Sequence, residues 1–412
     1  MPPILLIEAD ARRDQLIATT QALIAAPSPN PPLDTGAVAA VAGDLVRTHV
    51  KNAQVALHPS AQGVVNLTAV VRGHKPGRRL ILNGHLDTYP VNESLPWTVD
   101  PLGGHVQDNR IYGRGAADMK GGIAASIMAL SLLADHPGLW SGEAVLTLGG
   151  DEESMGVLGT QWLIDNVPHA RGDAAIIGDA GSPSVVRFGE KGFLWVELAT
   201  QGKPAHGAHV HLGTNAIDRL REALDSLASL RDLPVPAPDS VLKAMQHARP
   251  VSEQLSGAGE HETLARVTVN IGHIAGGTSM NLIPASARAG VDIRLPVGLD
   301  AVRVEQELIH RLSPLPGVSW QMQRRSEPNF TPPDAEIVTT VLRAAERVSG
   351  HAPVANMRVG ASDSRLYRAA GVPTVVFGPT PFNMGGADEY ALIDELLTVT
   401  KVHALAALTF LA

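Results

Sequence analysis

Leu80-Ile81-Leu82-Asn83-Gly84-His85-Leu86-Asp87 reads as a buried strand that delivers polar residues at its carboxyl end. Three consecutive apolar residues suit a strand covered on both faces, as in a parallel sheet. On an extended chain, residues two apart point to the same side, so His85 and Asp87 can share one site. Such a pair allows the imidazole to bind a metal through one ring nitrogen while the aspartate orients the ring. Taken alone the pair is weak evidence. A chain with 16 histidines produces one His-x-Asp by chance, and a polar loop pair is the plainer reading.

The same design recurs downstream. The apolar run at residues 144–148 leads into Gly149-Gly150-Asp151-Glu152-Glu153-Ser154-Met155-Gly156, and the run at 174–177 leads into Gly178-Asp179. Three consecutive acids leaving a buried strand repel one another unless cations neutralise them. Adjacent side chains point in different directions, so one glutamate can bind metal while its neighbour holds water. Between these runs lies Gly113-Arg114-Gly115-Ala116-Ala117-Asp118-Met119-Lys120-Gly121-Gly122, followed by a helix with Ile123, Ile127, Leu130 and Leu133 on one face. The glycines permit sharp turns and close backbone approach. Asp118 is placed either to cap that helix or to bridge two cations.

Strands separated by helices predict an α/β fold with a mixed, mostly parallel sheet flanked by helices. In open α/β sheets, ligands bind beyond the carboxyl ends of the strands, and three strands here deliver acids or histidine to that edge. Chance explains one such pair well and the set poorly. Carboxylates and imidazole in a chain without cysteine suit Zn²⁺, Mn²⁺ or Co²⁺.

Working outward, residues 12–25 predict an amphipathic helix, with Leu16, Thr20 and Leu23 at helical spacing, ended by the proline-rich stretch at 27–32. A second helix is expected at 35–49, then short strands at 55–58 and 66–72. From about Gly189 the pattern changes: strand at 193–200, helix at 215–230, strands at 264–273 and 285–295, helix at 302–312, strand at 318–323. This βαββαβ order suits a small layered domain inserted into the first. Within it, 234–238 and 252–260 read as surface loops. The expected division is residues 1–187 and 326–412 for one domain and 188–325 for the insert. Helices at 335–348 and 393–411, with a strand at 374–377, complete the first.

At 412 residues, two domains are the natural expectation. A net charge of −8 argues against a nucleic-acid binder. The absence of cysteine excludes disulfides, thiolate metal sites and a cysteine nucleophile. The first residues lack a positive n-region, their apolar run is broken by Glu8, and no stretch reads as a membrane span, so a cytoplasmic protein is expected.

In their order, His85-x-Asp87, glycine-rich Asp118, Glu152-Glu153 and Asp179 resemble the metallopeptidase and amidohydrolase family of aminoacylase, carboxypeptidase G, acetylornithine deacetylase and succinyl-diaminopimelate desuccinylase. The similarity extends over nearly the whole chain. It implies a zinc-exopeptidase-like fold whose inserted domain serves as lid and dimerisation domain, hence a homodimer. It also implies that one metal takes His85, Asp118 and Asp179, and that a second shares Asp118 and takes Glu153. Glu152 would be the general base that activates water, and Asp87 the partner of His85. Lys203-Pro204-Ala205-His206-Gly207 resembles the segment whose histidine stabilises the oxyanion, in dimers by reaching the partner's site. Met280-Asn281-Leu282-Ile283-Pro284 and Asp292-Ile293-Arg294 resemble the substrate-binding segments, which assigns Asn281 and Arg294 to substrate. Arginine suits a substrate carboxylate because its planar fork binds it bidentately. The plainer alternatives are that His206, near His209 and His211, is surface, and that Arg294 is a structural ion pair.

The resemblance breaks at one place. The family carries a last metal-binding histidine four residues before the glutamate of a terminal Asp-Glu-Tyr segment. Here that segment is Asp388-Glu389-Tyr390, and the matching residue is Gly385. His351 and His403, in or beside predicted helices, are not expected to substitute. Three readings follow: a one-metal enzyme, a second site completed by Asn383 or solvent, or a degenerate site in a ligand-binding protein. The expected function is therefore a metal-dependent hydrolase, with Zn²⁺ first and one or two metals per chain. Its glutamate-activated water would cleave an amide of a small carboxylate-bearing molecule such as an N-acyl amino acid or dipeptide. The alternative substrate is an unusual C–N bond, in an aryl amine, formamide or carbamoyl group.

Overall fold

The structure, a computed structural model, describes residues 4–92 and 94–412. Helices α1 (Ile4–Ala11), α2 (Arg13–Ala25) and α3 (Gly36–His49) open the chain. There follow β1 (Gln54–Ala61), β2 (Val64–Arg72), β3 (Arg79–His85), the hairpin β4 (His105–Gln107) and β5 (Arg110–Tyr112), and α4 (Gly121–Asp135). Strand β6 (Glu143–Gly149), α5 (Thr160–Asn166), β7 (Ala174–Ile177) and β8 (Val185–Glu190) complete this part.

Residues 189–330 and 357–361 form a second compact unit. It contains β9 (Gly192–Gln201), α6 (Ala216–Ala228), α7 (Asp239–Ser256), α8 (Glu260–Ala265), β10 (Thr268–Gly276), β11 (Ser286–Leu295), α9 (Ala301–Leu312), β12 (Val318–Ser326) and β13 (Asn329–Phe330). The chain returns to the first unit through α10 (Glu336–Ser349), β14 (Val354–Arg358), α11 (Ser364–Ala369), β15 (Thr374–Val376), β16 (Tyr390–Leu392) and α12 (Ile393–Phe410). Residues 326–330 and 357–361, which the sequence places with the first domain, pack with the second unit.

The main sheet of the first unit runs β1-β2-β6-β3-β7-β15-β8. Strand β3 is parallel to β6 and β7, and β7 to β15. The pairs β1–β2, β2–β6 and β15–β8 are antiparallel. The four central strands therefore end together on one edge. Both faces of the sheet are covered, which explains the unbroken apolar run of β3. Ile81 packs in a cluster with Val145, Ile164 of α5 and Tyr367 of α11. Helix α4 lies within the protein and is buried along almost its whole length. It belongs to Ala116–Asp135, the one stretch among the described residues long and apolar enough to cross a membrane, and that stretch is core. At its start α4 meets the end of β7 so closely that a Cβ on Gly122 would lie 1.8 Å from the Gly178 carbonyl oxygen.

The second unit has an antiparallel sheet ordered β10-β11-β9-β12. Leu220, Leu224 and Leu227 of α6 and Val304 and Leu308 of α9 pack against Leu194, Val196 and Leu198 of β9. Asn215 caps α6, its side-chain oxygen accepting the Ile217 and Asp218 N–H groups. The βαββαβ order holds for the sheet and its two packed helices, but α7 and α8 stand between α6 and β10. The loop expected at 252–260 is thus corrected: residues up to Ser256 continue α7, and Glu260 opens α8. The strand expected from Leu264 begins at Thr268. Val241, Met245, Ala248 and Ser252 form the buried stripe of α7. A small and a hydroxylated residue in that stripe, with Pro250 inside the helix, mask its helical period in the sequence.

Candidate metal centre and active site

Strands β3, β6 and β7 release His85, the Asp151-Glu152-Glu153 turn and Asp179 at the shared carboxyl edge. His85, Asp118 and Asp179 each offer a ligand atom, all within 4.8 Å of one another. The His85 Nε2 lies 3.1 Å from Asp118 Oδ1. Burial works to lower the His85 pKa, yet hydrogen bonds with Asp118 and Asp87 and the charges around it hold the imidazole well above its usual value.

The sequence assigns Asp87 to His85, and the geometry adds a second duty. His85 Nδ1 stands 2.9 Å from the Asp87 backbone carbonyl and 3.5 Å from its carboxylate. The carboxylate accepts the N–H groups of Glu152 at 3.0 Å and Glu153 at 3.1 Å, and the Asn30 side-chain amide at 2.8 Å. One buried aspartate therefore holds both the imidazole and the acidic turn. Glu152 has the guanidinium of Arg365 3.7 Å away. That arginine is itself buried and bonds the Met155 carbonyl.

Burial first, then Asp363 and Asp179, pushes Glu152 well above the usual carboxylate range against the opposing pull of His85 and Arg365. Glu153 is pushed up to about 8, by burial and then by the charge of Asp118. Its Oε1 is buried and has no hydrogen-bond partner. Crowded carboxylates with an orphaned oxygen beside an imidazole fit a divalent cation, whose charge would relieve the repulsion.

Asp118 sits in a turn braced from the far end of the chain. Glu389 accepts the N–H groups of Ala117 at 3.1 Å and Asp118 at 3.3 Å. Arg114 pairs with Glu389 and donates to the carbonyls of Gly385 and Gly386. Lys120, buried and lowered to about 7 by burial, donates to the Ala26 carbonyl. A cavity of about 300 Å³ opens beside Thr88 and Tyr89, walled by Pro29, Pro31, Val91 and Leu102. Another of about 760 Å³, lined by Arg79, Glu143 and Asp173, sits at the opposite, amino ends of the strands and includes none of these residues.

Asn30, Tyr89, Arg114, Asp363, Arg365 and Glu389 are the neighbours that sequence reading misses. Only Arg114 and Glu389 carry a signal, inside the glycine-rich and terminal acidic segments already singled out. His351 is exposed beyond α10, and His403 is buried in α12, bonded to the Phe377 carbonyl and Ser126. Neither belongs to the site. Asn383 is exposed and donates its amide to the Asp388 carbonyl.

The remaining three candidates lie in the second unit. His206 is exposed, with its ring 5.9 Å from that of His209. The next residue, Gly207, donates its N–H to the Asn281 carbonyl, so the His206 and Asn281 segments adjoin. Arg294 pairs with Asp292 on its own strand and lies over the Phe193 ring. Asn281 precedes the start of β11 and Arg294 stands near its end. Ser286 to Arg294 alone spans roughly 26 Å at about 3.3 Å per residue, so the Asn281 segment and Arg294 stand at opposite ends of this strand.

Residues 81–409 match the model of peptidase family M20/M25/M40. The chain belongs to this family. Succinyl-diaminopimelate desuccinylase of Rhodospirillum centenum is 32% identical over 408 residues, covering 94% of this chain and 95% of that protein. The M20 metallo-carboxypeptidase Sso-CP2 from Sulfolobus solfataricus superimposes with a TM-score of 0.80 at 19% identity, over 95% of this chain and 98% of that one. A dinuclear metal-binding M20 peptidase of Bacillus subtilis gives 0.67 at 14% identity, over 98% and 99%. The M20 fold is thus that of the mixed sheet described above, and the M20 protein is a metal-dependent hydrolase. Membership sets aside the reading of a degenerate binding protein.

Proposed function

We propose that this M20 hydrolase cleaves an amide of a small carboxylate-bearing molecule, an N-acyl amino acid before a dipeptide. The observation that carries the reading is the convergence of His85, Asp118 and Asp179 at one sheet edge with the anchored Glu152 turn beside them. The kinship with a desuccinylase supports an acylated amino acid. A divalent cation bound by His85, Asp118 and Asp179 would supply Lewis acidity to the scissile carbonyl and acidify water; Zn²⁺ suits the donors best, with Mn²⁺ and Co²⁺ as alternatives.

Glu152 takes the proton from the attacking water and passes it to the leaving nitrogen. Burial, which raises its proton affinity, suits it to that return step. Asp87 keeps Glu152 and the His85 ring in register. Glu153 is the acid that the family resemblance gives to a second cation, which it would share with Asp118. To the second unit we assign the parts of lid and homodimer contact, with His206 for the oxyanion and Asn281 and Arg294 for the substrate. The separation of the last two along β11 supports their acting in different copies' sites.

Glu152→Gln is expected to reduce turnover by about 10²–10⁴-fold while cation affinity, read by titration calorimetry, stays within a few-fold. Near wild-type activity would remove Glu152 from its role. Gly385 favours one second reading, a non-peptide C–N bond in an aryl amine, formamide or carbamoyl compound. A panel of N-succinyl, N-acetyl and N-carbamoyl amino acids, dipeptides and aryl amines separates the two. Hydrolysis of N-acyl amino acids that is lost in Arg294→Ala supports the first reading, and activity confined to the aryl amines or carbamoyl compounds supports the second.

A further inference from the structure

The space around Gly385 is not left to solvent. A Cβ built on Gly385 would meet the Tyr89 ring, at 3.7 Å from Cδ2 and 4.0 Å from Cε2. The Tyr89 hydroxyl in turn faces the Glu153 carboxylate. Gly385 has φ +74°, a backbone conformation that a side-chain-bearing residue rarely adopts, so the loop itself is shaped for glycine here. Arg114 fixes that shape by bonding the carbonyls of Gly385 and Gly386.

A second cation would need Asp118 and Glu153 together with a further strong donor. The ligand atoms of His85, Asp118 and Asp179 cluster within 4.8 Å, and Glu153 stands outside that cluster. On the Gly385 side of Glu153 the aromatic group is a phenol. A protonated phenol donates a hydrogen bond and is a poor ligand beside imidazole for these metals.

We propose that Tyr89 occupies the outer cation position, its hydroxyl bonding Glu153, so that each chain tightly holds one divalent cation, at His85, Asp118 and Asp179. This rests on the metal-hydrolase reading above and sharpens it. The ring stands beside the position where the resembled family has its histidine. The hydroxyl sets a proton donor beside the Glu153 carboxylate, on the side of Gly385. The half-exposed ring also lines the adjoining 300 Å³ cavity, so the same side chain that closes the outer position shapes the wall of that cavity.

The test is cation stoichiometry, read by Zn²⁺ titration calorimetry on metal-stripped full-length protein and by elemental analysis after gel filtration. Circular dichroism confirms that each variant is folded. Wild type and Tyr89→Phe are expected to hold one tight Zn²⁺ per chain. Tyr89→His, which sets an imidazole in the same space beside Glu153, is expected to hold two. Two tight cations in the wild type, or only one in folded Tyr89→His, would overturn the proposal while leaving the hydrolase intact. No tight cation in any of the three proteins would overturn the metal-site reading together with it.

Discussion

Asp87 offers no charge to the surface, yet it holds three parts of the site at once. Its carboxylate accepts two backbone N–H groups from the acidic turn and one amide from Asn30, and its carbonyl faces His85. Asp87→Ala leaves those donors buried without an acceptor, at a cost of about 1–3 kcal/mol for such a loss. The turn carrying Glu152 would also lose its anchor. We expect kcat to fall by about 10–100-fold, the range for removing a group that supports a metal ligand, with a lower urea midpoint. A variant with unchanged kcat and midpoint would show that the turn is held by other means. His85 makes metal binding depend on pH in a definite direction. Its neighbours hold the proton to a higher pH than usual, and the ring must lose that proton to serve as a ligand. Cation affinity should therefore weaken as pH falls, with protons released on binding. Calorimetry in buffers of different ionisation enthalpy reads that release directly.

The element that sets the spacing of the site is α4, where it meets β7. Gly122 lets the helix backbone come against the Gly178 carbonyl, next to Asp179, while Asp118 sits just before the same helix. Gly122→Ala cannot be absorbed by a flexible side chain, because the obstructing atom is backbone at 1.8 Å. The helix must move away from β7, which separates Asp118 from Asp179. We expect a loss of about 3 kcal/mol, together with weaker cation binding. Gly138→Ala is the control, since nothing lies within 4 Å of the added carbon. Equal thermal midpoints for the two variants would contradict the packing argument.

Across the whole molecule, α12 closes the first unit over α4 and carries a buried histidine away from the site. His403 is lowered to about 4 by burial, which outweighs its bond to the Phe377 carbonyl. Above its ordinary value of 6.5 it is neutral in both folded and unfolded chains. Between 6.5 and about 4 the unfolded chain takes up a proton that the folded chain refuses, so this group's contribution to stability falls as pH falls. The slope is at most about 1.4 kcal/mol per pH unit, and it levels off below the folded value. Titration of the His403 ring by NMR should show it neutral down to about pH 4. A midpoint near 6.5 would place the ring in contact with water.

The sequence by itself determined the α/β class, the membership implied by its motifs and the strand ends that bear the chemistry. These are local facts: an apolar run followed by His, Asp or Glu names both the strand and its carboxyl edge. The second unit was partly legible. Its sheet follows from alternation, whereas α7 was hidden because its buried stripe includes Ala248 and Ser252, whose burial depends on what packs against them. Within the site, the tertiary structure alone decided the direction of the Asp87 carboxylate and the bracing of Asp118 by Glu389. It also decided the meeting of Tyr89 with Gly385. Those relations join residues from separate stretches of chain, and hydrogen-bond direction and packed distance are set only when the strands are aligned. The missing histidine was visible as a letter; the phenol beside its place was visible only in three dimensions.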